Sequence, residues 1–76
     1  MAKINTELGL KLLNKTKKIG DLTYTFDPSF YYRDGKPKLI ELSVDAYDSN
    51  GEWLEEFSGL LLPGDLIPDY LTWLAE

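Results

Sequence analysis

The chain has 76 residues, 13 acidic and eight basic side chains, a net charge of −5, and neither His nor Cys. That length accommodates one domain, and the missing residue types exclude a disulfide framework, thiolate or imidazole metal sites and the common nucleophile and base pairs of hydrolases. A hydrophobic content of 43% is an ordinary globular value and argues against intrinsic disorder.

Asn5 or Thr6 can cap a helix, with Glu7 in its first turn and Lys11, Lys15, Lys17 and Lys18 gathering toward its end before Gly20. Acid first and base last suit the helix macrodipole, and glycine is a common terminator. Ile4, Leu8 and Leu12 then share one face at i, i+4, i+8. A strand competes for residues 5–17, because Leu8, Leu10 and Leu12 also alternate with Gly9 and Lys11.

From Asp21 the period becomes two. Leu22-Thr23-Tyr24-Thr25-Phe26 alternates apolar residues with threonine, Asp27-Pro28-Ser29 interrupts it as a turn or bulge, and Phe30-Tyr31-Tyr32-Arg33 resumes. Asp34-Gly35 signals a two-residue type I′ hairpin. Residues 38–47 follow, with Ile40, Leu42, Val44 and Ala46 expected on one face and Leu39, Glu41, Ser43, Asp45 and Tyr47 on the other. Asn50-Gly51 signals a second hairpin that returns the chain as a strand over 52–58. A two-residue loop there places Val44 opposite Phe57, Asp45 opposite Glu56 and Tyr47 opposite Leu54.

After Leu60-Leu61-Leu62 and the break at Pro63-Gly64, Asp65 is the candidate cap of a short terminal helix with Pro68 in its first turn. Leu66, Ile67, Tyr70, Leu71 and Leu74 occupy one broad arc, Trp73 flanks it, and Asp69, Thr72 and Glu76 point away. The expected fold is a single α+β domain over residues 1–76. It consists of a small antiparallel meander of three or four strands, an N-terminal helix that competes with a strand, and a short C-terminal helix.

No stretch approaches the roughly 20 apolar residues of a membrane span. The start Met1-Ala2-Lys3-Ile4-Asn5 lacks the apolar run and cleavage site of a signal peptide, so the chain reads as cytoplasmic, with no membrane partner.

Charge is the most informative feature. Residues 1–40 hold all eight bases and four acids, a charge of +4, whereas residues 41–76 hold nine acids and no base, a charge of −9. Single-sign fields of this kind steer association. The candidate partner-binding residues are Glu41, Asp45, Tyr47, Asp48, Glu52, Leu54, Glu55 and Glu56, an acidic and aromatic sheet face suited to a basic surface on a partner protein. The competing reading is a solvated edge whose acids guard against aggregation.

Other chemistries are set aside. If Gly51 takes the sixth position of a calcium loop, Ala46 falls on the first and Phe57 on the twelfth, so the essential ligands are missing and no metal is expected. Without His or Cys, and with little room for a cleft, no catalytic residues, cofactor or enzyme activity are expected. Tyr31, Tyr32, Arg33, Lys36 and Lys38 could stack and neutralise a single-stranded nucleic acid, but the net charge opposes a polyanion. Leu66 and Trp73 are the candidate oligomer contact of a homodimer.

The expected function is therefore a non-enzymatic acidic protein-binding module, comparable in kind to small inhibitors, immunity proteins and phage-encoded anti-host factors. Its carboxylates would occupy a basic, nucleic-acid-binding type of site by nucleic-acid mimicry. An accessory subunit or adaptor of a larger assembly is the alternative.

Overall fold

The computed structural model describes residues 3–75. Its elements are α1 (Thr6–Leu12), β1 (Thr16–Ile19), β2 (Leu22–Arg33), β3 (Lys36–Tyr47), a 3-10 turn at Glu55–Phe57, β4 (Gly59–Leu61) and a C-terminal 3-10 helix at Asp69–Ala75. The four strands form one antiparallel meander in the order β1-β2-β3-β4. Glu76 lies outside the described residues. Among those residues, no helix is long and apolar enough to cross a membrane.

The N-terminal segment divides between the two structures that competed for it. Asn5 caps α1 by accepting the Leu8 N–H at 2.8 Å, and Lys11 sits in the last turn, where a cation suits the helix dipole. The helix ends early because Asn14 takes the left-handed conformation, φ 60°, a position that favours Gly or Asn after a helix. Lys17 and Lys18 therefore belong to β1 and not to a helix end. Gly20, expected to terminate a helix, instead turns β1 into β2 at φ 59°, with Ile19 paired to Leu22.

Asp34 and Gly35 both have positive φ, 54° and 77°, as a type I′ turn requires, and Arg33 pairs with Lys36. At roughly 3.3 Å per residue, the 12 residues of each strand span about 40 Å. This hairpin accounts for the 43 Å long axis of the molecule.

The expected interruption at Asp27-Pro28-Ser29 does not break β2, which runs through it. Pro28 is tolerated because β1 pairs no further than Thr25, leaving β2 an edge strand on that side. The irregularity falls on the opposite strand: Ser29 pairs with Glu41 and Phe30 with Leu39, so Ile40 is an extra, bulged residue. The bulge reverses the alternation. Leu39 is buried and Ile40 exposed, contrary to the uninterrupted pattern.

The covered face carries Tyr24, Phe26, Leu39, Leu42, Val44, Ala46 and Leu61, sealed by Ile4, Leu12, Leu71 and Leu74. Ile4 is held outside the helix. Its N–H donates to the Asp65 carbonyl and its carbonyl accepts from Gly64, each at 2.8 Å. Asp65 is consequently not the cap of the terminal helix. Its carboxylate accepts the Leu62 N–H, and the 3-10 helix begins at Asp69, with Leu71 donating to the Pro68 carbonyl.

The helix α1 lies across the Phe30–Leu39 pair, and it can do so because residue 9 is glycine. A Cβ there would fall 2.9 Å from Leu39 Cδ1 and 3.3 Å from two Phe30 ring atoms. Gly9→Ala should therefore be close to neutral, its helix-propensity gain of about 1 kcal/mol offset by crowding. Gly9→Val should lower stability by roughly 2 kcal/mol through overpacking, read from urea midpoints. A valine variant as stable as wild type would mean that α1 does not sit this close.

Candidate binding face

The helices cover one side of the sheet and leave the other to solvent. Cross-strand register places on that open side Thr16 and Lys18 of β1, Thr23, Thr25, Asp27, Ser29, Tyr31 and Arg33 of β2, and Lys36, Lys38, Glu41, Ser43, Asp45 and Tyr47 of β3. Leu60 of β4 joins them beside Ser43. The charge split thus becomes spatial. Arg33, Lys36 and Lys38 stand at the hairpin tip, and Glu41 and Asp45 lie farther along the same face.

The expected second hairpin is corrected by the structure. The Asp48 N–H donates to the Glu52 carbonyl and the Gly51 N–H to the Asp48 carbonyl, closing a three-residue loop with Gly51 at φ 81°. The Asp48 carboxylate accepts the N–H groups of Asn50 and Glu52 at 2.8 and 2.9 Å, so it serves the loop. Aspartate at the first and glycine at the fourth position mark a type I turn, a signal that outranks the Asn-Gly pair here.

One residue more in the loop shifts every pairing. Tyr47 bridges to Trp53, not Leu54, and Val44 pairs with Gly59, not Phe57. Between these points β3 advances three residues and the returning chain six. The 3-10 turn Glu55–Phe57 takes up the difference. Residues 52–58 therefore form no continuous strand, and Asp45 does not oppose Glu56. Leu54 packs against the core and leaves the candidate face. Glu55 and Glu56 are exposed on the turn, and Glu52 on the loop.

Trp53 takes the place given to Leu54. Its side chain is 53% exposed, and its indole N–H donates to Asp45 Oδ1 at 3.0 Å. Asp45 is thereby a partner of Trp53, not a repelled neighbour of another acid, so its removal should loosen the tryptophan. The missed signal is parity: with a three-residue loop, Tyr47 and Trp53 face each other.

The turn is anchored by Ser58. Its hydroxyl donates to the Leu54 carbonyl at 2.7 Å and accepts the Ala46 N–H at 2.9 Å, replacing a ladder bond where the two chains diverge. Ala46 is fully buried. Ser58→Ala should thus cost about 1–3 kcal/mol by stranding that N–H, whereas Ser49→Ala in the exposed loop should change stability by less than about 0.5 kcal/mol. Equal denaturant midpoints for the two variants would refute this role.

The tyrosines of the tip are separated. Tyr31 pairs with Lys38 and Tyr32 with Pro37, so adjacent residues point to opposite faces and form no continuous stacking platform. Leu66 is exposed and bridges to Lys3. Trp73 is half-buried and packs on Tyr24 and Phe26, with ring centroids 5.2 and 5.9 Å away. The two candidate oligomer residues therefore play different parts. Among the described residues, no group of three or more acids gathers to hold a metal ion.

Tyr24, buried beneath Trp73, has its hydroxyl pushed above the ordinary value of 10.0, first by desolvation and then by Tyr70. A raised folded value means the unfolded chain releases this proton first. The contribution is complete below pH 10.0 and is lost as pH rises from there toward the folded value. Urea midpoints should decline over that alkaline range, less steeply in Tyr24→Phe. An identical decline in the variant would assign the loss elsewhere.

Comparison of the chain with protein-family models, with curated proteins and with solved structures found no match.

Proposed function

We propose that the protein is a non-enzymatic, cytoplasmic binding module that presents its open sheet face to a basic surface on a partner protein, in the manner of an inhibitor or immunity-type factor. One observation carries this reading: Trp53 stands more than half exposed while its indole N–H is tied to Asp45. A large aromatic bridged to the end of β3 and already oriented by a carboxylate loses less entropy on binding and has the make-up of an interface hot spot. Solvation alone gives no reason to hold a tryptophan there.

Glu41 and Asp45 supply the charge. They are four residues apart on one face, about 13 Å at the strand rise, with Ser43 between them. Tyr47 extends the aromatic surface, and Glu52, Glu55 and Glu56 add to the field that attracts a basic partner. Occupation of a nucleic-acid-binding site on that partner would then be steric and electrostatic, the acids standing where a polyanion would bind.

A second reading, an accessory subunit, is favoured by the edge strand. Leu60, 57% exposed, stands on the three-residue strand β4, at the end of the sheet among the described residues, and Leu62, 50% exposed, follows directly after it. Such an edge invites another strand.

The test uses immobilised protein and lysate of the native host, with proteins retained by each variant quantified by mass spectrometry. A specific partner should be kept by wild type and by the control Glu7→Lys, which alters α1, and lost by Asp45→Lys and Trp53→Ala. With that partner purified, Asp45→Lys should slow association roughly tenfold at low salt, a deficit that shrinks as salt rises. Loss on Leu60→Lys alone would favour the accessory-subunit reading. Equal retention by all variants would reject both surfaces.

A further inference from the structure

On the covered side of the sheet, one lysine stands where an apolar residue would be expected. Lys17 pairs with Tyr24 across β1 and β2, which directs its side chain to the face that carries the core. Its Nζ lies 5.8 Å from the centroid of the Trp73 ring, within cation–π range. The indole N–H of Trp73 donates to the Tyr70 carbonyl at 3.2 Å, fixing the ring beneath the cation.

Beside this contact, the end of α1, the start of β1 and the C-terminal 3-10 helix leave a groove of about 410 Å³, within the range of small-molecule sites. Leu12, Phe26, Trp73 and Leu74 form its apolar part. Lys11, Lys15 and Lys17 line it as well, and no carboxylate does. In a chain with 13 acids and eight bases, this is a local inversion of the overall charge. Such a surface asks for two things at once. An inorganic anion would leave the apolar floor wet, and a neutral apolar ligand would bring Lys15 and Lys17 no counter-charge.

We propose that the groove binds a small, free amphipathic carboxylate, its acyl or aryl body lying on Phe26 and Trp73 and its anionic end reaching Lys15 and Lys17. The apolar floor supplies burial, and the lysines supply charge-assisted hydrogen bonds that distinguish the carboxylate from an alcohol of the same length. The site lies on the opposite side of the sheet from Trp53 and Asp45, so it stands or falls independently of the partner-binding face.

Decanoate is a suitable probe, titrated below its micelle concentration into the Trp53→Phe protein, in which Trp73 is the remaining tryptophan. Saturable change in Trp73 emission is expected, with decanoate binding about tenfold more tightly than decanol, the worth of one charge-assisted hydrogen bond. Lys15→Gln with Lys17→Gln should erase that preference while decanol affinity stays the same. Lys15→Gln alone, which leaves the Lys17–Trp73 contact intact, should remove part of it. Equal affinity for decanoate and decanol, or a preference that survives the double change, would overturn the proposal. Sedimentation of the ligand-free protein completes the test: a monomer in wild type and variant alike is expected, and a dimer that the lysine changes dissociate would assign the groove to a second copy instead.

Discussion

Where Ile40 interrupts the pairing of β3 with β2, the N–H of Leu39 donates to the Thr6 hydroxyl at 3.0 Å. This bond joins residues 33 positions apart, and it ties the first turn of α1 to the one irregular point of the long hairpin. The bulge turns Leu39 inward, Leu39 and Phe30 meet Gly9, and the helix axis is set by that contact. From there Leu12 reaches the core, Asn14 reverses the chain, and β1 is delivered to the edge of β2. Without the extra residue, Ile40 would face the helix and Leu39 would face water. A uniform alternation could not place α1 where it is.

The parts of the fold that were legible before the structure are those decided by local chemistry. Asp34-Gly35 demands positive φ at both centres and received it, and the Asn5 cap needed only an oxygen three residues ahead of an N–H. The misreadings share a different cause. A bulge or a three-residue loop inserts one residue, and because the side-chain period of a strand is two, everything beyond it changes face. Ile40 and Leu39 exchanged sides in this way, as did Trp53 and Leu54. In both places the hydrophobic pattern is ambiguous, since adjacent apolar residues compete for one inward position and only packing by a remote element decides between them. For Leu39 that element is α1. For Leu54 it is the core beneath the Glu55–Phe57 turn.

Charge was legible as a division along the chain but not as a geometry. The meander converts it into a gradient along one face, because β2 and β3 run the full length of the molecule and carry bases at the tip and acids nearer the second loop. At the far end Lys18 shares a depression with Asp21, Thr23, Tyr47 and Asp48, two acids to one base, so the negative character continues to the second loop. Asp48 is also drawn inward by the Asn50 and Glu52 N–H groups, and its role in the loop explains its presence without appeal to a partner.

A sheet of this size with two short helices can cover one face only. The open face must then be wettable, and its threonines and serines at positions 16, 23, 25, 29 and 43 meet that need while keeping strand propensity. The wettability of this face is thus accounted for before any carboxylate or aromatic is considered. What remains unexplained by it is a small set: Trp53 oriented by Asp45, Tyr47 paired to it, Leu60 standing out from the edge strand and, toward the hairpin tip, Tyr31. Each of these costs something in water, and each would be cheaper as another threonine or a lysine. The first three stand near Asp45, which pairs with Thr25 of β2 and lies between the Tyr47–Trp53 bridge and the Val44–Gly59 pair, and this grouping is the physical ground for the binding face proposed above.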